Sequence, residues 1–334
     1  MNRSRWLSLL RVAVSAGLLA WVLSRVGVEQ LLDTVRGADA RLLALAGLLL
    51  VAGTVIRAWR WQVLLHAVGA RLRFGRLVYL YFVGQFFSSF LPTGFAGDVV
   101  RVLEAGRGAS SAQAAGTVLV DRLTGFIGLF LLALLALPFS GGLLPVEWAW
   151  GIGLLSLAVL GGSAVLFQGR LLRRITSWLP GGLSLKSGSW LAQSYDVITA
   201  CGPRAIAAAL GIATLFNFAQ IGANVALARA LGIQASALYF FLFIPLATVA
   251  LLVPISISGL GVREQIYLTL FASAAVGLTG PQAIALSLGA YLLDFVNALI
   301  GGALYFVAGA RGLRREASSN ATGRKPQMNS DGRR

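Results

Sequence analysis

The sequence predicts an all-α polytopic membrane protein built as an inverted-topology repeat, and three observations support this prediction. Of its 334 residues, 57% are hydrophobic and 12% are charged, whereas an ordinary soluble domain carries about a quarter of charged residues. Apolar runs such as residues 126–137 and 152–167 lack the alternation that a transmembrane β-strand requires. A short motif of Pro, Gly and Arg at fixed spacing occurs twice.

The basic residues are clustered, and their distribution explains the net charge of +16 without a nucleic-acid partner. Most of the 28 Lys and Arg residues lie within residues 3–11, 57–76, 170–204 and 311–334. The positive-inside rule places these segments in the cytoplasm, so both termini are expected on the cytoplasmic side of the cell membrane. Cys201 and His66 are the only Cys and His, so we expect neither disulfides nor a Cys- or His-based metal site, and no cofactor.

The apolar runs predict six spanning helices, at residues 6–26, 42–61, 110–137, 148–167, 205–227 and 284–306. We interpret the first as a retained anchor, because it is longer than the core of a signal peptide. Residues 27–41 and 138–147 are expected outside the cell. The connection at 169–204 is expected inside, with an amphipathic segment near residues 172–179 on the inner leaflet.

Two apolar runs are too short to span the membrane. Residues 77–91 would rise only about 22 Å as a helix, against roughly 30 Å of hydrocarbon. The simplest arrangement that gives the right number of crossings between the assigned loops has a re-entrant hairpin from the inside over residues 77–108. The same argument predicts a hairpin from the outside over residues 239–271. Each half thus has three spanning helices and one hairpin, and the hairpins are expected to meet near the midplane.

This arrangement defines a single membrane domain over residues 1–310, with pseudo-repeats at 1–140 and 145–310. The remaining residues, 311–334, form a basic tail that is polar, lacks aromatic residues and is expected to be disordered in the cytoplasm.

The repeated motif marks the turns of both hairpins. One copy runs from Pro92 to Arg101 and the other from Pro254 to Arg263, with Gly five residues and Arg nine residues after each Pro. Irregular backbone at membrane depth is tolerated only where it lines a cavity, so such breaks indicate transporter sites. The predicted turn residues are Pro92, Gly94, Gly97, Pro254, Gly259 and Gly261.

Five arginines are candidates for binding a lipid phosphate. Arg101 and Arg263 are the strongest, because each follows a Gly-rich turn whose free N–H groups also suit an anion. Arg57 and Arg60 either contact the ligand or snorkel to headgroups beside an aromatic belt, and both interpretations stay open. Arg122 lies within a span next to Asp121.

Four acids within apolar surroundings are candidates for coupling or structural roles. Asp121 points about 100° away from Arg122 on its helix, so at least one of the two is expected to face another partner or the cavity. Asp98 and Glu264 either pair with the neighbouring motif arginine or cap the helix that restarts there, and we favour the cap. Asp294 either carries a proton or forms an ion pair with Arg263.

Several of these residues together resemble a known family, the lysylphosphatidylglycerol synthase transmembrane region, also called flippase-like domain proteins. The matching elements are Arg57-Ala-Trp-Arg-Trp61, the stretch from Tyr81 to Arg101, Asp121-Arg122 and the stretch from Pro254 to Glu264. The resemblance covers about residues 5–310. Family members often carry a Gly pair in the second turn, where this chain has Ser258-Gly259.

The resemblance implies movement of phospholipids or polyprenyl-linked lipids between leaflets. We expect the symmetry-related Arg101 and Arg263 to reach one cavity from opposite sides and to bind the headgroup phosphate in turn as the two halves rock. Asn217, Gln220 and Asn224 share one face of their helix and are expected in the cavity wall.

Two alternatives come from other classes of protein. In the first alternative, the chain is the membrane subunit of a lipid-dependent glycosyl- or aminoacyl-transferase, with Asp98 or Asp121 as a base. In the second, it is a scaffold for such an enzyme. We expect no catalytic residues, because no His, Cys or carboxylate pair has catalytic spacing. Since some family members carry a soluble transferase domain and the tail is too short for one, a lipid-modifying partner is expected to be a separate protein.

Overall fold

The computed structural model describes residues 36–90, 96–105, 109–142, 144–168, 190–251, 261–273 and 275–321. These residues form ten α-helices and one 3-10 turn, and no strand occurs among them, as predicted. The helices are α1 (Ala40–Ala67), α2 (Phe74–Phe90), α3 (Ala96–Ala105), α4 (Ser111–Ala136), α5 (Val146–Phe167), α6 (Trp190–Ala200), α7 (Gly202–Ala230), α8 (Ala237–Ala250), α9 (Val262–Phe271) and α10 (Gly280–Ala321).

Five segments are long and apolar enough to cross a membrane, so the chain is a multi-pass membrane protein. They are Ala40–Ala67, Ser111–Ser140, Val146–Phe167, Gly202–Ala230 and Gly280–Ala308, and they coincide with five of the six predicted spans. The first predicted span at residues 6–26, the amphipathic segment at 172–179 and the last part of the tail, 322–334, lie outside the described residues. Helix α10 continues to Ala321, within the tail.

Local capping interactions fix where three of the helices begin. The Asp39 carboxylate accepts a hydrogen bond of 2.7 Å from the Arg41 N–H at the start of α1. Ser110 and Gln113 form a reciprocal capping box on α4, with distances of 3.1 and 2.8 Å. Gly261 precedes α9 with a φ of 81°, and its N–H donates to Glu264 Oε2 at 2.5 Å. Each cap satisfies backbone donors that the first helical turn leaves free.

Helices α2 and α3 pack side by side through glycines, where the first hairpin is predicted. A Cβ atom on Gly97 would lie 2.2 Å from the Gly84 carbonyl oxygen, so only glycine allows this approach. The Gly97 N–H donates to Ser88 Oγ at 3.0 Å. Pro92 and Gly94, the other predicted turn residues, lie outside the described residues.

Helices α8 and α9 flank the second predicted turn. Pro254 and Gly259 lie outside the described residues, and Gly261 begins α9. The two helices pack through aromatic rings, since Phe240 and Phe243 of α8 lie 5.1 and 5.4 Å from Phe271 of α9 between ring centroids. These three rings are fully buried and belong to the larger hydrophobic core.

Helix packing leaves a space between two apolar cores. The larger core joins α4, α7, α8, α9 and α10, and a smaller one joins α1, α2, α3 and α4. Helix α2 is held against α10 as tightly as against α3, because a Cβ on Gly301 would lie 1.9 Å from the Phe82 carbonyl oxygen. The cavity between the cores contains most of the charged side chains that the sequence places within apolar runs.

Candidate functional site

All five predicted phosphate-binding arginines line one cavity of about 480 Å³. Its wall is built from residues of α1, α2, α3, α4, α7, α8, α9 and α10. The charged residues that line it are Arg57, Arg60, Arg101, Arg122, Arg263, Asp98, Asp121 and Asp294. The described wall therefore carries five guanidinium groups against three carboxylates.

Asp121 of α4 lies at the centre of the largest polar cluster. Its Oδ1 accepts from Arg60 Nε at 2.7 Å, and its Oδ2 accepts from Arg101 Nη2 at 3.2 Å and from the Tyr81 hydroxyl. The carboxylate is almost fully buried, with 3% of its side chain exposed. A buried charge of this kind requires paired partners, and the three donors connect α4 to α1, α2 and α3.

Arg60 and Trp61 are interior residues of α1. Arg60 is 3% exposed, and Trp61 is fully buried and donates from Nε1 to Thr117 Oγ1 at 3.1 Å. The interpretation in which this pair snorkels towards headgroups and forms an aromatic belt is therefore wrong for these two side chains. Trp59, which is 46% exposed, lies on the outer surface as a belt residue would.

Arg101 is enclosed by aromatic rings as well as by carboxylates. Its guanidinium carbon lies 3.8 Å from the centroid of Tyr81 and 4.3 Å from that of Trp61. Its Nη1 also donates to Asp98 Oδ1 at 3.1 Å. These contacts orient a cation whose side chain is only 5% exposed, and cation–π attraction is stronger when the cation is desolvated.

Asp98 bridges two arginines. It lies in the first turn of α3 and accepts from Arg101 and from Arg122 Nε. The cap predicted for Asp98 is therefore wrong among the described residues, and this carboxylate forms ion pairs instead. Asp121 and Arg122 have different partners, as expected for adjacent helical residues, and both line the cavity.

Arg57 differs from the other four arginines because it forms no ion pair with any described carboxylate. Its guanidinium carbon lies 5.1 Å from the ring centroid of Phe216 and 5.4 Å from that of Tyr81. Its Nε is buried and has no hydrogen-bond partner within the described part of the chain. This cation is therefore held by rings and lacks a neutralising contact there.

Arg263 reaches the same cavity from α9 and pairs with Asp294 of α10, with Nη1 and Oδ2 3.2 Å apart. One of the two alternatives for Asp294, the ion pair with Arg263, is thus present, and it does not exclude a coupling role. Glu264 caps its own helix and accepts from Ser287 Oγ at 3.2 Å. The expected cap is confirmed for Glu264, and the alternative pairing of Arg263 with Glu264 is wrong.

The predicted amide stripe on α7 divides between two cavities. Asn217 and Gln220 line the main cavity, and Asn217 Nδ2 donates to the Gly125 carbonyl at 3.2 Å. Asn224 lines a smaller cavity of about 80 Å³, which Gln220, Arg263 and Asp294 also line. The second cavity therefore adjoins the main one at the Arg263–Asp294 pair.

Sequence reasoning missed several polar residues of α2. Tyr81, Gln85 and Ser88 all line the main cavity. Gln85 Oε1 accepts from Asn297 Nδ2 at 3.3 Å, and the same amide donates to Thr54 Oγ1 at 3.1 Å. The signal was present, because these three residues recur at positions i, i+4 and i+7 of an otherwise apolar helix.

The cavity wall carries cationic donors that lack a hydrogen-bond partner in the described residues. Three arginines other than Arg57 also retain a buried nitrogen without a hydrogen-bond partner in the described residues, namely Arg60 Nη1, Arg101 Nε and Arg263 Nε. In the same residues, no group of three or more His, Cys, Asp or Glu side chains is arranged to hold a metal ion.

The fold and the site define a class: a multi-pass α-helical membrane protein with an arginine-rich cavity between its helices. The sequence profile of the lysylphosphatidylglycerol synthase TM region matches residues 8–302. The chain belongs to this family. A comparison with curated proteins finds no match.

Proposed function

We propose that this protein translocates a phospholipid or a polyprenyl-linked lipid between the leaflets of the cell membrane. The headgroup phosphate binds to the arginines of the cavity, while the lipid tails stay in the bilayer. The observation that carries this proposal is the charge of the described cavity wall, where five guanidinium groups face three carboxylates.

The unpartnered donors give the phosphate specific contacts. Arg57, Arg60, Arg101 and Arg263 each present a buried N–H group without a described partner. A charge-assisted hydrogen bond from such a group contributes about 1.5–3 kcal/mol. Because their carboxylate and aromatic neighbours already position Arg60 and Arg101, the ligand does not have to order them on binding.

The pattern of helix packing supports an inverted repeat as the framework for transport. Helices α1 and α7 pack against each other, α2 packs on α10, and α8 packs on α4. Two halves related by a two-fold axis would exchange contacts in this way, with α1 to α4 equivalent to α7 to α10. We therefore propose that α2–α3 and α8–α9 are re-entrant hairpins that meet near the midplane.

In this mechanism the two halves rock about the shared cavity. The cluster around Arg101 binds the phosphate when the cavity opens on one side, and Arg263 contacts it when the cavity opens on the other. Asp294 remains 35% exposed in its pair with Arg263, so it is the carboxylate most accessible to protons among the three in the described wall. We propose Asp294 as the coupling acid, with both termini in the cytoplasm.

Reconstitution separates this proposal from its alternatives. Purified protein in liposomes is given a fluorescent phospholipid, and the fraction reached by a membrane-impermeant quencher is followed over time. Translocation predicts that this fraction rises faster than in protein-free liposomes. If the protein instead turns over a glycosyl or aminoacyl donor, it is the membrane subunit of a transferase. If it shows neither translocation nor turnover, the scaffold alternative is supported. The geometry disfavours the transferase, since both candidate bases, Asp98 and Asp121, are engaged by arginines.

A further inference from the structure

Arginines and aromatic rings alternate in a row of contacts beside the main cavity. The guanidinium carbon of Arg57 lies 5.1 Å from the ring centroid of Phe216 and 5.4 Å from that of Tyr81. The guanidinium carbon of Arg101 lies 3.8 Å from the centroid of Tyr81 and 4.3 Å from that of Trp61. Two cations therefore share the Tyr81 ring. The row connects α7 to α1, α2 and α3, and Phe216, Arg57, Tyr81 and Arg101 line the cavity.

The rings of this row are held by contacts of their own. Tyr81 is 4% exposed and meets the ring of Trp61 edge to face, with 5.9 Å between the centroids. Trp61 in turn donates to Thr117 Oγ1 at 3.1 Å. Phe216 packs against Gly53 of α1, where a Cβ would lie 3.3 Å from the ring. Because the helices already fix these rings, the rings set the positions of the two cations.

An aromatic ring holds an arginine in a different way from a carboxylate. The ring attracts the guanidinium through its electron-rich face, but it carries no formal charge and no oxygen that would occupy the N–H donors. Arg57 has no carboxylate partner, and its buried Nε has no hydrogen-bond partner, in the part of the chain that the structure describes. The charge and the donors of Arg57 therefore stay available to an anion.

We infer that Tyr81 and Phe216 are positioning residues of the proposed phosphate site, and that their rings hold the arginines in place without occupying their donors. This inference rests on the proposed function and assigns further residues to the same site. Tyr81 acts on both Arg57 and Arg101, and Phe216 acts on Arg57. In each case the ring has the positioning role, so a side chain that keeps the ring keeps the site.

The ring of Tyr81 can be separated from its hydroxyl by mutation. Tyr81→Phe removes the hydrogen bond to Asp121 but keeps the ring, and Asp121 still accepts from Arg60 and Arg101. Tyr81→Leu removes both the hydroxyl and the ring. Binding of a fluorescent phosphatidic acid, whose headgroup is a bare phosphate, is measured on full-length protein purified by size-exclusion chromatography. We expect Tyr81→Phe to bind within threefold of wild type and Tyr81→Leu at least tenfold more weakly.

Phe216 gives a second test at a side chain that is not fully buried. Phe216→Leu removes one ring from Arg57, and we expect it to weaken binding of the same probe at least threefold. Phe218→Leu is the matched control, because Phe218 belongs to the same helix, is 49% exposed and is not part of the described cavity wall. Tyr79→Leu is the corresponding control on α2, since Tyr79 is also not part of that wall. Both controls should bind like wild type.

The outcomes distinguish the inference from the proposed function. The inference is overturned if Tyr81→Leu binds like wild type, or if Tyr81→Phe binds as weakly as Tyr81→Leu, since the hydroxyl would then be responsible. Phe216→Leu binding as tightly as Phe218→Leu would also overturn it, and this pair decides if Tyr81→Leu does not fold. These results leave lipid translocation standing. Failure of the wild-type protein to bind the phosphatidic acid would overturn both the inference and the proposed binding of the headgroup phosphate.

Discussion

Arg263 Nη1 lies 3.2 Å from Asp294 Oδ2, the same separation that joins Arg101 Nη2 to Asp121 Oδ2. Each arginine of the repeated motif therefore pairs with an aspartate of the spanning helix that follows it. The two pairs differ in burial, because the side chains of Arg101 and Asp121 are 5% and 3% exposed, and those of Arg263 and Asp294 are 17% and 35% exposed. The first pair is part of a closed cluster, and the second is open to the cavity.

The difference in burial predicts unequal costs for breaking the two pairs. Asp121→Asn leaves Arg60 and Arg101 buried without their shared counter-ion, and we expect it to lower the free energy of unfolding by about 3 kcal/mol or more. Asp294→Asn breaks a partly exposed pair, and we expect a loss of about 1 kcal/mol. Denaturant unfolding in detergent micelles measures both. The control is Glu147→Gln, which changes an exposed acid in the first turn of α5. Equal losses in the free energy of unfolding for Asp121→Asn and Asp294→Asn would contradict the predicted difference.

Charge exchange tests whether the second pair is only structural. The double variant Arg263→Asp, Asp294→Arg keeps an ion pair between α9 and α10 but moves the cation from one helix to the other. We expect it to recover most of the stability lost in Arg263→Asp, while translocation stays slow because the guanidinium no longer projects from α9. Thermal stability and liposome transport are measured on the same samples. Full recovery of transport would show that Arg263 has no separate role in binding phosphate.

The contact between Gly84 and Gly97 predicts a large effect of one methyl group. Gly97→Ala would place a Cβ 2.2 Å from the Gly84 carbonyl oxygen, so α2 and α3 must separate. We expect it to lower the free energy of unfolding by about 2–3 kcal/mol, as overpacking does elsewhere. Gly47→Ala, where no atom lies within 4 Å of the new Cβ, should be neutral or stabilising because alanine favours helix. A Gly97→Ala protein as stable as wild type would show that the two helices do not approach this closely.

Cysteine labelling tests the proposed topology. Glu147→Cys and Gln234→Cys are expected to react with a membrane-impermeant maleimide added to intact cells, and Arg73→Cys only after permeabilisation. These positions are exposed. The nearby loop residues Gly142 and Gly232 are less suitable, because their φ values of 81° and 70° disfavour any side chain. The native Cys201 should give little background, because burial raises the pKa of its thiol to about 11 and the reactive thiolate is rare at neutral pH. Labelling of Arg73→Cys in intact cells would contradict the orientation.

The length of the apolar runs predicts the positions of the spanning helices well, but charged residues inside a run lead to a wrong prediction of where the helix ends. The run at 205–227 differs from Gly202–Ala230 by three residues at each end. The run at 42–61 ends six residues before Ala67, because arginines such as Arg57 and Arg60 ordinarily mark the end of a span. Nothing local shows that Arg60 meets Asp121 across 61 residues of sequence, and only the folded bundle makes these charges tolerable inside it.

The candidate site was predictable in its residues and less so in its pairing. Arg101 and Arg263 were expected to share one cavity because the motif repeats, and both line it. Their carboxylate partners could not be assigned from spacing. Asp98 precedes Arg101 by three residues and Glu264 directly follows Arg263, and only the structure shows that the first forms ion pairs and the second caps its helix. Tyr81 does not stand out in the sequence, because it lies in an aromatic-rich apolar run between Tyr79 and Phe82, and only the fold shows that its hydroxyl meets Asp121.

The central claim is that this cationic cavity binds the headgroup during translocation, and Arg57 offers the cleanest test. Since Arg57 has no carboxylate partner among the described residues, Arg57→Gln leaves no acid there unpaired. Initial translocation rates of fluorescent phosphatidic acid are compared in liposomes that contain wild type, Arg57→Gln or Arg73→Gln at equal protein density. We predict that Arg57→Gln slows transport at least tenfold, as loss of one charged contact worth about 1.5–3 kcal/mol implies, while Arg73→Gln matches wild type. An Arg57→Gln rate equal to that of wild type would contradict the claim.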